Sequence, residues 1–415
     1  MKKKVLFIST AIPPVSESQT IRNVFFLRSL AESDFEITII TLDSNAETDM
    51  LYSMLPECKI IRTELPPHFK RYSSFKKSKL ENILQKIYGL YLNIIVVPDM
   101  YAGWEKVIDN HLEANPLEDI PDIIVSSSGS YSAHISAYNL SKKFKTPFIA
   151  ELGDPWTFNP IWPATLPHRI YKNKKIESQI LSKVSSIVVT TEKTAEIYQK
   201  WFGNKFGINV VTMGYSSNDF NKIKKYVTEK TINITYVGVA YRTGRNILSF
   251  LDALNSINHK NDIQFNLIGP HSAYFEEYAK KNKYNYINFE GRVSYEKSIE
   301  HIKEAGILVI IGNTGGVQVP GKAFMYLASG RPIVLLAQES EESDPTWQLL
   351  KQFPGTIFCP MVDKDIQECF NNILDNYEIL QSESYQRLKM KEFKDLEWNR
   401  IGRKFAKIVE KELSV

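Results

Sequence analysis

Within this 415-residue chain, the residue types and spacings best suited to chemistry lie between positions 312 and 333. Gly315 and Gly316 stand together, Val317 and Gln318 follow, and Pro320 comes two positions before Lys322. Proline suits the first helical position and Gly330 the C-cap side, so the spacing predicts a helix over about 320–329. Lys322 then falls in the first turn, where the macrodipole is already positive and a lysine is unfavourable unless an anion joins it. Free N–H groups of Gly315 and Gly316 would hold such an anion, which makes the stretch a candidate phosphate site. The same residues also read as a solvated lysine beside an ordinary turn. Helical periodicity puts Ala323, Phe324, Leu327 and Ala328 on a core face, and Lys322, Met325, Tyr326 and Ser329 on the opposite, site-facing side.

Two apolar, β-branched runs at 307–311 and 333–337 bracket this stretch and read as buried parallel strands. Similar runs at 5–9, 36–42, 122–127, 147–152, 186–190 and 209–212 alternate with helical patterns. The same alternation resumes at 232–238, 264–268 and 286–289, and ends at 356–359. Such a rhythm predicts an α/β chain with two doubly wound parallel sheets. A polar, charged stretch at 213–229 marks the crossing between an N-terminal domain at 1–213 and a C-terminal domain at 214–384. Residues 385–415 read as a long amphipathic helix crossing back to the first domain.

Ligands of open α/β sheets gather at the carboxyl ends of strands. The loop at 10–20, with Ser16 and Glu17, therefore borders a site or is plain turn chemistry. Glu151, Asp154 and His134 are the acid–base groups near strand ends, and Trp156 offers a face on which a sugar would stack. Two of these have a structural counterpart reading: His134 as a structural histidine, Asp154 as an N-cap or turn residue before Pro155.

A net charge of +4 is too small to imply nucleic-acid binding. Cys58, Cys359 and Cys369 have neither metal-ligand nor disulfide spacing, which fits a reducing, cytoplasmic setting. The segment 65–103 departs from the α/β rhythm. Residues 68–79 carry five Lys/Arg and no carboxylate, and an amphipathic stretch follows. The pattern at 68–97 fits peripheral contact with an anionic membrane, or a helical insertion on the acceptor side.

The run 317–334 resembles the donor motif of family 4-like glycosyltransferases of the GT-B type, which build cell-surface polysaccharides. Residues 5–14, Pro98 and Asp99 with Trp104, the Asp154–Trp156 tripeptide, residues 185–191, Met213 to Tyr215, residues 236–245 and residues 289–294 resemble further family signatures in the same order. The resemblance implies two Rossmann-like domains facing across a cleft. It also implies sugar transfer from a nucleotide diphosphate donor to a glycan or lipid-linked acceptor, with retention, no cofactor and no metal. Arg242 or Arg245 and Lys322 would neutralise the diphosphate, and Gly238 would allow close backbone approach. The chain departs from the family where its paired glutamates would fall, at Val317 and Met325; Gln318 is the nearest polar replacement. A nucleotide-sugar 2-epimerase and a catalytically inactive GT-B partner are the competing readings.

Overall fold

The computed structural model describes residues 2–414 except 16, 45–49, 76–77, 160–165, 222, 225–230, 241–245 and 259–261. The chain divides into two compact units, Met1–Thr212 with Asn399–Val415, and Met213–Trp398.

The first unit is built on a seven-stranded sheet of β1 (Lys3–Ile8), β2 (Phe35–Leu42), β3 (Lys59–Thr63), β4 (Ile123–Ser127), β5 (Phe148–Leu152), β6 (Ser186–Val189) and β7 (Gly207–Val210), ordered β3-β2-β1-β4-β5-β6-β7. Every pairing is parallel. The central strands β4, β5 and β6 are buried along their whole length, as continuous apolar runs covered on both faces must be. Strand β3 was not expected from the sequence. It is an edge strand with half-exposed Ile60 and Ile61 between Lys59 and Arg62, so it lacks the apolar run that marks the interior strands.

The second unit carries a six-stranded parallel sheet of β8 (Ile232–Val237), β9 (Ile263–Ile268), β10 (Ile287–Glu290), β11 (Ile307–Ile311), β12 (Ile333–Ala337) and β13 (Thr356–Pro360), ordered β10-β9-β8-β11-β12-β13. Its core gathers Phe250, Phe265, Phe275 and Phe370 with the inward residues of β8, β11 and β12.

The C-terminal segment is not one helix. Helix Tyr377–Gln386 and a short turn of helix at Arg387–Lys389 stay in the second unit, and only helix Trp398–Glu412 returns to the first. Phe405 there stacks on Phe26 with ring centroids 4.0 Å apart and planes 4° from parallel. In the 65–103 region the chain forms helices Pro67–Ser73 and Lys79–Ile95. Asp99 then accepts from the Ser132 N–H (3.1 Å) and the Ser132 hydroxyl (2.7 Å), fixing the start of helix Ser132–Phe144. Trp104 is fully buried and donates its indole N–H to Thr63 Oγ1 at 2.8 Å.

Candidate functional site

In each sheet the order reverses beside one pair of neighbours, β1 and β4 in the first unit and β8 and β11 in the second. Doubly wound folds bind ligands outside the carboxyl ends of such a pair, because the connections leave in opposite directions and open a crevice between them.

In the second unit, β8 runs into Gly238 and β11 into the loop that precedes helix Lys322–Ala328. Gly238 has φ +140°, a conformation that side chains rarely adopt, and a Cβ there would collide with Lys322 Nζ. The lysine therefore lies against the backbone at the end of β8. Its ammonium group sits 3.8 Å from the ring centroid of Tyr236, a close cation–π contact. Tyr236 is fully buried and donates its hydroxyl to Val239 O at 2.8 Å.

Tyr326, four residues after Lys322, accepts the Val237 N–H at 2.8 Å and stitches the helix to the same strand end. The helix face carrying Lys322 and Tyr326 does meet the strand end, but it is not open as expected. Tyr326 and Ser329 are fully buried, because the helix is covered on both sides. Met325 is half-buried.

At the other end of this helix, fully buried Arg387 donates from Nε to Leu327 O (2.8 Å) and from Nη2 to Tyr326 O (3.2 Å) and Arg331 O. Its Nη1 donates to Pro354 O at 3.1 Å. Burial pulls the Arg387 pKa down to about 9, with a second push from Arg331. A cation here answers the unpaired carbonyls and the negative end of the helix dipole.

The loop between β11 and this helix is tighter than its glycines led us to expect. The Gly316 N–H donates to Asn313 O at 3.2 Å, closing a turn in which Gly315 takes φ +65°. The Gly315 N–H donates to Glu339 Oε1 at 2.5 Å, and the Thr314 hydroxyl to Gln338 Oε1. Both glycine donors are thus engaged, one by the turn itself and one by a carboxylate from the end of β12. The free pair of N–H groups expected from the sequence is absent from this arrangement.

Val317 and Gln318 are both buried, at 7% exposure each. Gln318 Nε2 has no hydrogen-bond partner among the described residues, a state that costs on the order of 1–3 kcal/mol when a donor stays unsatisfied. Arg242 and Arg245 lie outside the described residues.

In the first unit, the loops after β1 and β4 approach so closely that a Cβ on Gly129 would strike Thr10 and Ala11. A buried polar network lies beneath them. Glu151, at the end region of β5, accepts from Arg22 Nε, Gln19 Nε2 and Ser127 Oγ, each at 2.8 Å. Arg22 and Glu151 are both completely buried. The remaining Arg22 nitrogens donate to Thr212 O (2.7 Å) and Val211 O (2.8 Å), tying the exit of the last strand to helix Ser18–Glu32. Glu151 is therefore a structural counter-ion rather than an open general base.

His134 is likewise buried, with Nδ1 2.6 Å from Ser126 Oγ and Nε2 without a partner among the described residues. Burial pushes its pKa down to about 3, so the imidazole is neutral. Trp156 does not offer a free face. It is 4% exposed, and Tyr131 stacks on it with centroids 4.9 Å apart and planes 3° from parallel. Its indole N–H goes to Asn173 Oδ1 at 3.0 Å. Behind it, Glu177 accepts from the Tyr198 hydroxyl (2.6 Å) and the Thr157 N–H (3.0 Å), and burial pushes its carboxyl up to about 7.

Of the three acid–base candidates, Asp154 alone is exposed, just beyond Gly153 at the carboxyl end of β5. Glu17 is exposed at the entry to helix Ser18–Glu32. Ser16 lies outside the described residues.

Sequence reasoning missed Tyr236, Glu339, Arg22 and Arg387. Only Tyr236 carried a signal, an aromatic two residues before a strand-ending glycine.

No family model and no curated protein sequence matches the chain. Solved structures do. Anabaena HepE in complex with UDP and glucose superposes with a TM-score of 0.66 at 11% identity, over 99% of this chain and 100% of that one. A Listeria monocytogenes protein named as a UDP-N-acetylglucosamine 2-epimerase gives 0.62 at 11%, over 100% and 97%. WaaG, a glycosyltransferase involved in lipopolysaccharide biosynthesis, gives 0.60 at 12%, over 98% and 99%. With two parallel, doubly wound sheets and a last helix that returns to the first unit, the chain has the GT-B fold.

Proposed function

We propose that this chain is a glycosyltransferase that moves a sugar from a nucleoside diphosphate donor to a glycan or lipid-linked acceptor in surface polysaccharide synthesis. Transfer proceeds with retention and without a bound metal, at the cytoplasmic face of the membrane. The second unit takes the donor and the first unit the acceptor.

The observation that carries this reading is the Lys322 ammonium held over Tyr236 and against Gly238, at the point where the second sheet reverses. A preorganised cation there meets the charge that develops on a departing diphosphate, and a buried surrounding strengthens it. Gln318 contributes its unpartnered amide to the donor sugar, in place of the carboxylates that Val317 and Met325 cannot supply. The bond from the anomeric carbon to the diphosphate breaks with its electron pair on the phosphate oxygen. The acceptor oxygen bonds to that carbon from the same face, and its proton passes to the departing phosphate. Asp154, exposed at the carboxyl end of β5, orients the acceptor hydroxyl. HepE binding UDP and glucose supports the donor class.

Calorimetry with UDP, GDP and other nucleoside diphosphates tests the reading. Lys322→Ala should weaken the best binder by roughly 1.5–3 kcal/mol if the lysine meets phosphate. Absence of binding by every nucleotide in the panel would refute the donor assignment. The similarity to a protein named as a 2-epimerase favours a second reading. Incubation with UDP-N-acetylglucosamine and no acceptor separates the two, since epimerised nucleotide sugar forms only under the second.

A further inference from the structure

Helix Lys79–Ile95 spends its apolar residues on the outside. Ser78 is its N-cap, the hydroxyl accepting the Glu81 N–H at 3.2 Å and donating to Glu81 Oε2 at 2.7 Å. Leu80, Ile83, Ile87, Leu90, Tyr91 and Ile94 fall within an arc of roughly 100° around the axis. Every one of the six is between 44% and 68% exposed. Only Leu92 of this helix is buried.

The orientation is set by the opposite side. Gln85 Nε2 donates to Tyr72 O at 3.1 Å, and the Tyr72 ring lies against Gly89. At the C-terminal end Arg169 donates to Asn93 O and to Pro98 O (3.3 Å), and the His168 ring lies 2.7 Å from Ile94 O. The helix is thus held through Gln85 and Gly89 on the side away from the arc and through its last carbonyls, so the apolar arc cannot roll inward without losing these contacts.

Charge identifies the occupant. Lys79 and Lys86 are exposed and border the arc on one side. The single carboxylate of the helix, Glu81, lies away from the arc and is held by Ser78. Arg71 stands nearby over the Tyr88 ring at 5.4 Å. Helix Pro167–Leu181, which anchors the C-terminal end, adds exposed Lys172 beside Tyr171, itself 69% exposed. An apolar strip edged by cations, with the one carboxylate of its helix off the strip, fits the boundary between anionic headgroups and acyl chains. Among the described residues no helix is long and apolar enough to cross a membrane, so the contact is with the surface.

We propose that helix Lys79–Ile95 seats the protein on an anionic lipid bilayer, its apolar arc entering the headgroup–acyl boundary and its lysines meeting lipid phosphates. The inference deepens the acceptor side of the proposed function and rests on that reading only for its purpose, since attachment requires neither donor nor acceptor.

The test is cosedimentation of the full chain with phosphatidylcholine vesicles and with vesicles containing about 30 mol % phosphatidylglycerol, the anionic component that would recruit the lysines. Binding should appear with the anionic vesicles and weaken with added salt. An Ile87→Glu/Leu90→Glu variant, altered only at exposed positions, should keep its melting temperature and lose at least ~10-fold in partitioning. Lys79→Gln and Lys86→Gln should each cost about 5-fold. No vesicle binding, or binding that the Glu variant leaves unchanged, overturns the proposal. So does a dimer seen by sedimentation equilibrium that dissociates in the Glu variant without any lipid effect, which would make a second copy the occupant. Nucleotide calorimetry on the same variants keeps the readings apart: vesicle binding without nucleotide binding sinks the donor assignment and leaves this one standing.

Discussion

Lys322 Nζ occupies the space that a Cβ on Gly238 would need, and it rests 3.8 Å from the centre of the Tyr236 ring. The glycine, the lysine and the ring thus form one device: the absent side chain lets the ammonium group reach the end of β8, and the ring holds it there.

Gly238→Ala should therefore act twice, through backbone strain at φ +140° and through displacement of the ammonium group. Strain at such a position costs about 1–3 kcal/mol in stability. The displacement should appear separately, as weaker nucleoside diphosphate binding. In a Lys322→Ala background only the strain remains, so the two substitutions should couple in affinity by more than about 0.5 kcal/mol. Additive losses would show that the contact plays no part in binding.

Glu151 was a candidate acid–base group on sequence grounds, and its environment assigns it a different burden. Removing it leaves the Arg22 guanidinium buried without a counter-charge, which should cost about 3–5 kcal/mol in stability. Denaturant unfolding of Glu151→Ala measures this. A variant as stable as the parent, but slower in transfer, would return Glu151 to the catalytic group.

Glu177 makes stability depend on pH with an unusual sign. Burial holds its proton up to about pH 7 in the folded protein, whereas the unfolded chain gives it up near 4.5. Its contribution is complete below about 4.5 and declines as pH rises toward 7, by roughly 3 kcal/mol at most. His134 runs the other way. Burial lowers its folded pKa to about 3 from an ordinary 6.5, so its contribution is complete above 6.5 and declines as pH falls toward 3. The two oppose each other between about 4.5 and 6.5. Removing the Glu177 contribution should therefore make stability, read from denaturant titrations, rise more steeply (or fall less) with pH in Glu177→Gln than in the parent over the same interval. The same pH slope in both proteins would contradict this assignment.

Strand positions were readable wherever burial on both faces forces a continuous apolar run, as in β4, β11 and β12. Strand β3 was not, because an edge strand between Lys59 and Arg62 carries no such run. Residue type misled most where a polar group is buried. Arg22 and Arg387 look like surface arginines in one dimension, and only the fold reveals that backbone carbonyls and Glu151 satisfy them. Trp156 looked like a sugar platform because an aromatic after a strand end has that geometry; the stacking of Tyr131, twenty-five positions earlier, was invisible. Lys322 was legible because a lysine in a first helical turn calls for an explanation from local rules alone. That Glu339 would engage the Gly315 N–H was not, since the two residues meet only through the pairing of β11 and β12.

Arg387 enters the chain 60 residues after Leu327, whose carbonyl it holds. During synthesis from the N-terminus, the helix bearing Lys322 is therefore made long before the side chain that secures its far end. The first unit likewise waits for residues 399–414 to supply its last helix. A premature stop near residue 385 removes both Arg387 and residues 399–414, and so would leave both units unfinished rather than spare the first.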